Sequence, residues 1–335
     1  MKALVVETPG VARVKEVPYP QPGAGEVTIK VERTGICGTD IHIYHGEFAP
    51  KFPIIPGHEF SGVVHEIGEQ VTEFKVGDRV TVDPSIFCGG CLYCLTQRGN
   101  HCSNWGAIGV TVDGGMAEFV KSPAQNVIKL ADHVSFEEGA FIEPVACVVH
   151  GLNRLQMEYG SRVLIYGGGA MGQQLVQCLI KAGASEIVVV DISEEKLALA
   201  LKFGASKGVH SRDAEKLLAT PAYAEGFDVV VDATGIASVI QQAITHLGPA
   251  GKYLQFGVAS EKSVIQLSPY DLYRRDWTFI GSMAINHTFV PASRWITEGR
   301  IDVKPLVSKL ISLEEAVSFL EGPRDPDLFK VQIRL

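Results

Sequence analysis

The sequence predicts an α/β protein of two domains, a β-barrel-like domain followed by a doubly wound parallel-sheet domain. Residues 1–130 contain short alternating or β-branched runs broken by Gly and Pro, which is typical of a small all-β barrel. Residues 162–193 have the pattern of an apolar strand, a glycine turn, a long apolar helix and a second apolar strand, as in a covered parallel sheet. Helix and strand patterns then alternate, which indicates a doubly wound arrangement.

The individual elements are predicted from these patterns in chain order. The barrel strands are "ALVV", "EVTIKVER", "FSGVVHEIG", "DRVTVDP", "GMAEFVKSP" and "NVIKL". After "RVLIY" and its helix come the helix "EEKLALALKFGA", the strand "FDVVVDATG", the helix "ASVIQQAITHLGPAG" and the strands "KYLQFGV" and "WTFIGSM". The last segment is predicted to be the helix "SLEEAVSFLEG" and a closing strand, "FKVQIRL".

Composition excludes several classes of function. The 335 residues are 46% hydrophobic, which is enough for two buried cores. The formal net charge is −8 and no run of Lys or Arg would follow a phosphate backbone, so we expect no nucleic-acid partner. The N-terminus lacks the apolar segment of a secretory signal, and no apolar run reaches the roughly 18 residues that span a bilayer. We therefore expect a cytoplasmic protein with no membrane partner.

Four of the seven cysteines lie in one loop, and we predict that they bind a structural zinc ion. Cys88, Cys91, Cys94 and Cys102 are separated by two, two and seven residues. A reducing compartment favours metal binding over disulfides, and tight CxxC turns supply converging ligands. An iron–sulfur cluster and unmetallated thiols are the alternatives, although the usual cluster spacing is absent. Four protein ligands close a zinc site, so this metal would fold a lobe at about residues 86–103 without doing chemistry.

A dinucleotide-binding motif begins the second domain. Gly167, Gly169 and Gly172 form G-x-G-x-x-G between the strand "RVLIY" and an apolar helix, the context that gives the motif its meaning. Asp191 follows nineteen residues after Gly172, where a carboxylate binds ribose hydroxyls and repels a 2′-phosphate, so NAD is the expected cofactor. Lys196 is either a contact of the adenosine side or a solvated helix lysine. The plain alternative is a glycine turn without a nucleotide.

A second group of residues has the ligand types of a catalytic zinc. Cys37 lies in "GICGTDIHIYHG", and His58 and Glu59 lie in "PGHEFSG". Cysteine, histidine and carboxylate hold zinc ions that keep one position open for water or substrate. Singly they could be a buried thiol, a turn histidine and a surface carboxylate. Together, and beside a four-cysteine loop and a dinucleotide motif, they indicate catalysis.

Over essentially its whole length, the sequence resembles the zinc-containing medium-chain dehydrogenase/reductase family. The motifs "CGTD", "GHE", "VGDRV", the four-cysteine lobe, "IEPVACVVHG" and "GGGAMG" are those of the family, and "CGTDIH" with "IEP" looks most like its polyol branch, which includes sorbitol and arabitol dehydrogenases. The resemblance implies a GroES-like catalytic domain of residues 1–150 and 286–335, and a Rossmann NAD-binding domain of residues 151–285. It also implies two zinc ions per subunit, one catalytic and one structural, and a homo-oligomer, either a tetramer or a dimer.

The resemblance also implies roles for single residues. Cys37, His58 and Glu59 would hold the catalytic zinc, with Glu143 of "IEP" as a further ligand or the holder of its water; which glutamate binds directly stays open. Zinc would lower the pKa of a substrate hydroxyl. The further implied residues are a proton relay of Thr39 and His42, the cofactor contacts Met171, Gly257, Val258 and Ser282, and the substrate candidates Tyr44, Phe48, Glu143 and residues 108–110. We also expect Asp40 to orient His58, because ligating histidines usually donate their second N–H to a carboxylate.

The predicted function is therefore NAD-dependent oxidation of a secondary alcohol, a polyol or sugar alcohol. Threonine, butanediol and sugar-alcohol phosphates are alternative substrates, the last because Arg274 or Arg275 could bind a phosphate. Residues 284–286 depart from the Arg-containing segment of many polyol enzymes, which weakens the polyol assignment. The alternatives of another class are a non-catalytic dinucleotide sensor and a binding module built on the zinc lobe.

Overall fold

The computed structural model describes residues 1–47, 50–323 and 325–335, and the chain divides into two compact units. Unit 1 combines Met1–Ala146 with Ile285–Leu335, and unit 2 is Cys147–Ala284. None of the helices in the described ranges is both long and apolar enough to cross a bilayer.

In its described residues, the first part of unit 1 contains nine strands and three short α-helices. The strands are β1 (Lys2–Thr8), β2 (Val11–Glu16), β3 (Glu26–Gly35), β4 (Glu59–Ile67), β5 (Arg79–Val82), β6 (Ser85–Ile86), β7 (Gly106–Ala107), β8 (Phe119–Pro123) and β9 (Val127–Lys129). The helices are α1 (Gly38–His45), α2 (Leu92–Leu95) and α3 (Phe136–Ala140). The next helix, α4 (Ile142–Leu155), contains the boundary between the units.

Unit 2 alternates strands and helices. Its strands are β10 (Arg162–Tyr166), β11 (Glu186–Asp191), β12 (Lys207–His210), β13 (Phe227–Asp232), β14 (Leu247–Gln255) and β15 (Thr278–Gly281). Its helices are α5 (Ala170–Lys181), α6 (Glu194–Lys202), α7 (Ser211–Leu218), α8 (Ala237–Ile244) and α9 (Pro269–Arg274). The chain then returns to unit 1 with α10 (Phe289–Thr297), β16 (Val307–Ile311), α11 (Leu313–Glu321) and β17 (Lys330–Arg334).

The sheet of unit 1 is built from both parts of the chain. Its strand order is β16-β17-β3-β4-β5-β9, with β8 also paired to β3, and two small sheets, β1-β2 and β6-β7, accompany it. One apolar core joins Leu4 and Val6 near the start of the sequence to Leu313, Leu320 and Ile333. The returning segment is therefore an integral part of unit 1.

The sheet of unit 2 is parallel, with the order β12-β11-β10-β13-β14-β15. Val163, Leu164 and Ile165 of β10 are fully buried, which explains why this strand is apolar at successive positions rather than at alternate ones. Because the strands are parallel, the loops after β10, β11, β13, β14 and β15 all leave from one edge of the sheet. The predicted fold class, a barrel-like domain with a doubly wound parallel-sheet domain, is confirmed.

Candidate active site

Cys37, His58 and Glu59 converge in unit 1. Cys37 is the N-cap residue of α1, and Glu59 begins β4, opposite Gly35 of β3. One ligand atom from each of the three residues lies within 4.8 Å of the other two. His58 and Glu59 are buried, 6% and 2% exposed, whereas Cys37 is half-buried. The three predicted ligands, which come from two separate motifs, therefore form one cluster with the thiol on its accessible side.

Asp40 holds the two loops that carry the cluster. Its fully buried carboxylate accepts hydrogen bonds from the backbone N–H groups of Cys37 (2.7 Å) and Gly57 (3.1 Å), which fixes both loops. The same carboxylate lies 3.6 Å from Nδ1 of His58, which is too long for a hydrogen bond. Burial would lower the pKa of His58, but Asp40 and Cys37 together raise it well above its usual value. The negative charges of Asp40 and Cys37 therefore favour a positive charge at His58.

These observations test whether a zinc ion fits. Nδ1 of His58 is buried without a hydrogen-bond partner among the described residues, although buried polar atoms are usually paired. A small rotation of the imidazole toward Asp40 would pair that atom while the other nitrogen binds a metal, the usual arrangement of ligating histidines. The donor set of thiolate, imidazole and carboxylate suits zinc with one open position. The residues present therefore fit the ion.

Lys330 was not foreseen from the sequence and completes the cluster. Its Nζ donates to both carboxylate oxygens of Glu59, at 2.7 and 2.8 Å, and lies 3.3 Å from the carbonyl oxygen of Ile36. Lys330 is only 6% exposed, and although burial opposes its charge, Glu59 and Cys37 raise its pKa. The only signal in the sequence was a lysine beside apolar residues in "FKVQIRL". This ion pair balances one negative charge of the cluster and holds Glu59 in place.

We expect Lys330→Met to destabilise unit 1 strongly. Without Lys330 the carboxylate of Glu59 is buried and unpaired, which costs about 3 kcal/mol of unfolding free energy. The metal-free protein is compared by urea denaturation with Lys330→Met, Glu59→Gln and the double variant. The double variant should recover most of the loss. Lys121→Met, which removes an exposed lysine 3.2 Å from Glu26, is the control and should change the free energy by about 0.5 kcal/mol or less. An equally small effect at Lys330 would contradict the interpretation.

Glu143 lies near this cluster but not in its ligand group. It is in the first turn of α4, is 8% exposed, and its charge contributes to raising the pKa of Lys330. The group of converging ligand atoms contains Glu59 and, among the described residues, does not include Glu143. The geometry therefore favours Glu59 as the carboxylate ligand. Glu143 lies near the cluster without belonging to the converging ligand group.

Thr39 and His42 lie one turn apart on α1, so both side chains are on the same side of the helix. The hydroxyl oxygen of Thr39 is 3.7 Å from Sγ of Cys37. Nδ1 of His42 contacts a carboxylate oxygen of Glu47 at 2.5 Å, and the side chain of His42 is 31% exposed. The two residues thus lead from the cysteine toward solvent, which is the path that a proton relay requires.

The structure contradicts the substrate role predicted for Tyr44. This side chain points into the apolar core, is 6% exposed, and donates its hydroxyl to the carbonyl of Gly10 at 3.0 Å. Ile108 and Val110 are also buried core residues, 1% and 5% exposed. Helix periodicity explains the error: Tyr44 is five residues beyond Thr39 and faces the other side of α1. Phe48, the remaining candidate of this group, lies outside the described residues.

The four cysteines of the predicted lobe form a second cluster in unit 1. Their sulfur atoms lie within 4.8 Å of one another, and Sγ of Cys91 is 3.6 Å from that of Cys94 and 3.9 Å from that of Cys102. Sulfurs at the corners of a tetrahedron with zinc–sulfur bonds of about 2.3 Å are ~3.8 Å apart, whereas disulfide sulfurs are about 2.05 Å apart. The spacing fits one zinc ion.

Backbone N–H groups favour the thiolate form of two of these cysteines, Cys91 and Cys102, whereas burial raises the pKa of Cys94 to about 12. The N–H groups of Cys88 and Asn104 each donate to Sγ of Cys102 at 3.3 Å. The hydrogen bond from Cys88 lowers the pKa of Cys102, and the N–H groups of Ser103 and Cys94 lower the pKa of Cys91 to about 5. Metals bind thiolates rather than thiols, so these hydrogen bonds stabilise the form that binds. The residues present fit a closed structural zinc site.

The glycine motif lies in unit 2 at the carboxyl end of β10. A Cβ atom on Gly172 would lie 1.9 Å from the carbonyl oxygen of Gly167, so the turn and α5 approach each other too closely for a side chain. Gly169, the N-cap of α5, supplies no capping side chain, and a Cβ there would meet nothing within 4 Å. This leaves an open space in front of the helix N-terminus, where a pyrophosphate fits.

Asp191 ends β11 beside this turn. One of its carboxylate oxygens accepts the N–H of Gly168 at 2.6 Å, and the other accepts the N–H of Ser193 at 2.9 Å. Each oxygen keeps a lone pair, so the carboxylate is oriented and can still accept ribose hydroxyls. Lys196 lies next to it: its Cβ is close to Gly168, and its carbonyl accepts the side-chain amide of Gln173 at 2.8 Å.

The other predicted cofactor residues are at the same edge of the sheet. Met171 lies within the glycine motif, on the first turn of α5, where its sulfur contacts the side-chain amide of Gln174. Gly257 and Val258 follow β14, and Ser282 follows β15. Asp232, which was not foreseen, organises this edge. It is fully buried and accepts hydrogen bonds from the backbone and hydroxyl of Thr234, from the N–H of Gly235 and from the amide of Gln255.

Arg274 and Arg275 lie at the opposite edge. They precede β15, whereas the glycine motif follows the carboxyl end of the parallel strand β10. The guanidinium of Arg275 stacks on the ring of Trp277 at 5.4 Å and lies 3.5 Å from the carbonyl of Leu247, at the start of β14. Both arginines are thus at the amino edge of the sheet. A phosphate bound near the cofactor edge would not meet them.

Comparison with known proteins agrees with these two metal clusters and the dinucleotide edge. The "Alcohol dehydrogenase GroES-like domain" family matches residues 23–132, and the "Zinc-binding dehydrogenase" family matches residues 170–298. D-arabinitol dehydrogenase 1 of Uromyces fabae is 34% identical over 343 aligned positions that cover 100% of this chain and 97% of the relative. The chain belongs to the zinc-binding medium-chain dehydrogenases.

The relatives of this dehydrogenase place it near the polyol branch. D-altritol 5-dehydrogenase of Agrobacterium fabrum is 34% identical, with 99% of each chain covered, and sorbitol dehydrogenase of Bacillus subtilis is 30% identical, with 96% and 93% covered. A Sinorhizobium meliloti protein described as a zinc-binding dehydrogenase, solved with NADP, has a TM-score of 0.96 at 34% identity over 100% and 99% of the two chains. An Escherichia coli alcohol dehydrogenase solved with NADH has a TM-score of 0.91 at 29% identity, with the same coverage.

Proposed function

We propose that this dehydrogenase oxidises a secondary hydroxyl group of an unphosphorylated polyol with NAD. The single observation that carries the proposal is the convergence of Cys37, His58 and Glu59, because a non-catalytic sensor or a zinc-lobe binding module has no need of this donor set. The chain's place beside relatives named for arabinitol, altritol and sorbitol supports a polyol substrate.

The residues of the cluster divide the work. A zinc ion bound by Cys37, His58 and Glu59 would act as a Lewis acid that lowers the pKa of the substrate hydroxyl. Asp40 holds the loops of two ligands, and Lys330 holds Glu59. The hydroxyl of Thr39, next to Cys37, receives the substrate proton, and His42 passes it to solvent. The alcohol carbon gives its hydride to NAD⁺, so the products are a ketone, NADH and one proton.

The choice of NAD rests on Asp191. Its carboxylate is held by Gly168 and Ser193 at the place where the adenosine ribose is expected, and its charge repels the 2′-phosphate of NADP. The choice of an unphosphorylated substrate rests on Arg274 and Arg275, since neither lies at the cofactor edge of unit 2. A cytoplasmic location and assembly into tetramers or dimers stay predictions from the sequence.

The test is a panel of substrates in which turnover is monitored by the absorbance of the NADH or NADPH that forms. The purified zinc-loaded protein is offered D-arabitol, D-altritol, sorbitol, 2,3-butanediol, L-threonine and galactitol 1-phosphate, each with NAD or NADP. We expect turnover with at least one free polyol and NAD, and loss of turnover after chelation that returns when zinc is added. Preference for the phosphate ester would contradict the substrate class, and preference for NADP would contradict the cofactor. No turnover with any alcohol would contradict the function itself.

A further inference from the structure

A guanidinium group lies near the expected ribose position, although Ile192 and Ser193, which directly follow Asp191 in the sequence, offer no cationic side chain. Asp191 at the end of β11 is in register with His210 at the end of the neighbouring strand β12. His210 caps α7, and Arg212 is the second residue of that helix. Adjacent strands are about 4.8 Å apart, so Arg212 starts next to the turn that carries Asp191.

The guanidinium of Arg212 is directed toward that turn and is held there by acids. Its Nη2 lies 3.2 Å from a carboxylate oxygen of Glu194, the first residue of α6 and only three residues after Asp191. Its Nε lies 3.4 Å from a carboxylate oxygen of Asp213. All three side chains are more than 60% exposed, so a ligand can compete for the arginine.

We propose that Arg212 is a latent ligand for a 2′-phosphate and that Glu194 keeps it occupied, so that NAD selectivity is set by two acids rather than one. Asp191 acts by repelling the phosphate, and Glu194 acts by pairing with the arginine that would otherwise bind it. A guanidinium binds phosphate through a planar fork of donors, which makes it a stronger phosphate partner than a lysine at the same place.

The charges around Arg212 favour this assignment. Residues 191–196 and 210–213 contain four carboxylates and two cationic side chains, so the arginine is outnumbered in its own surroundings. Removing one carboxylate from Asp191 relieves repulsion but leaves Arg212 paired. Removing a second from Glu194 both relieves repulsion and releases Nη2 of the arginine, which leaves only the longer contact of its Nε with Asp213 at 3.4 Å. The proposal rests on the dinucleotide role of unit 2, and it adds the residue that determines how a variant would gain NADP binding.

The test measures binding of 2′,5′-ADP and of 5′-ADP by calorimetry, which does not depend on turnover. The proteins are the full-length wild type, Asp191→Ser, Asp191→Ser with Glu194→Gln, and this pair with Arg212→Met. We expect the wild type to bind 5′-ADP in preference to 2′,5′-ADP. Adding Glu194→Gln to Asp191→Ser should tighten 2′,5′-ADP binding by about fivefold, the size of a released surface ion pair, with 5′-ADP affinity unchanged. Arg212→Met should remove that gain.

Glu195→Gln is the matched control for charge alone. Glu195 is exposed on the same turn of α6, and no ion pair joins it to Arg212 in the part of the chain that the structure describes. If Glu195→Gln tightens 2′,5′-ADP binding as much as Glu194→Gln, the effect is general repulsion and the proposal is wrong. It is also wrong if the gain survives Arg212→Met, or if the wild type prefers 2′,5′-ADP. Absence of all adenosine nucleotide binding would instead overturn the proposed function together with this inference.

Discussion

Replacing His58 by alanine is expected to abolish turnover, by about 10³-fold or more, while NAD still binds with nearly its original affinity. His58 is one of three residues whose ligand atoms converge in unit 1, whereas the glycine motif and Asp191 belong to unit 2. The substitution therefore removes a ligand from one unit and leaves the dinucleotide edge of the other unchanged. The zinc content should fall from two ions per chain to one, as measured by inductively coupled plasma mass spectrometry.

The matched control is His65→Ala, on the same strand, β4. The ring of His65 packs against Phe119 and Tyr19 on the surface and takes no part in either metal cluster. We expect two zinc ions per chain and near-normal turnover for this variant. Full activity of His58→Ala, or equal losses in the two variants, would rule out His58 as a ligand of the catalytic ion.

The second large effect is expected at Cys94. Helix α2, which carries it, has no buried residue, and Leu92 and Leu95 are 67% and 70% exposed, so the lobe has almost no apolar core of its own. Metal binding by such a segment contributes directly to folding free energy. Cys94→Ser should lose one zinc ion per chain and at least about 4 kcal/mol of unfolding free energy, measured by denaturation, with turnover falling only as the protein unfolds.

Cys147→Ser is the control for a thiol outside both clusters, because this half-buried cysteine of α4 is not in either ligand group. It should keep two zinc ions per chain and nearly the original stability. If Cys94→Ser keeps both ions and its stability, the four-cysteine lobe is not a structural zinc site. If it loses turnover at temperatures where it stays folded, the division between a structural and a catalytic metal is wrong.

Local sequence patterns were sufficient to predict the parts of the fold and of the sites that are determined by residues close together in the chain. The unit from β10 to β11 was predicted with its turn because buried parallel strands, three glycines and an apolar helix follow one another without interruption. The four cysteines could be assigned from spacing because three of them lie within seven residues. The short strand β12 and helix α7 were missed, since "KGVH" is too short and too polar to form a recognisable strand.

Long-range pairings were beyond the sequence patterns. Lys330 is 271 positions from Glu59, and nothing in the local pattern around either residue indicates that β17 would lie next to β3 and bring the two together. Arg212 reaches the Asp191 turn only through the register of β11 with β12, one of the strands that were missed. Tyr44 was assigned to the substrate because it lies in the right motif, but the side of α1 on which it lies depends on packing against β1 and α11.

The order in which the ribosome makes these segments follows from the division of unit 1. Glu59 and the other ligands of its cluster are synthesised first, unit 2 emerges next as one continuous segment, and β17 with Lys330 comes only afterwards. Unit 2 can complete its sheet during translation, since domains generally fold as they emerge. The sheet of unit 1 instead lacks β17 beside β3 until the end of synthesis, and Glu59 lacks its partner Lys330 until then. The pairing of Glu59 with Lys330 is therefore the last contact of this cluster to form, although its three predicted ligands are made first.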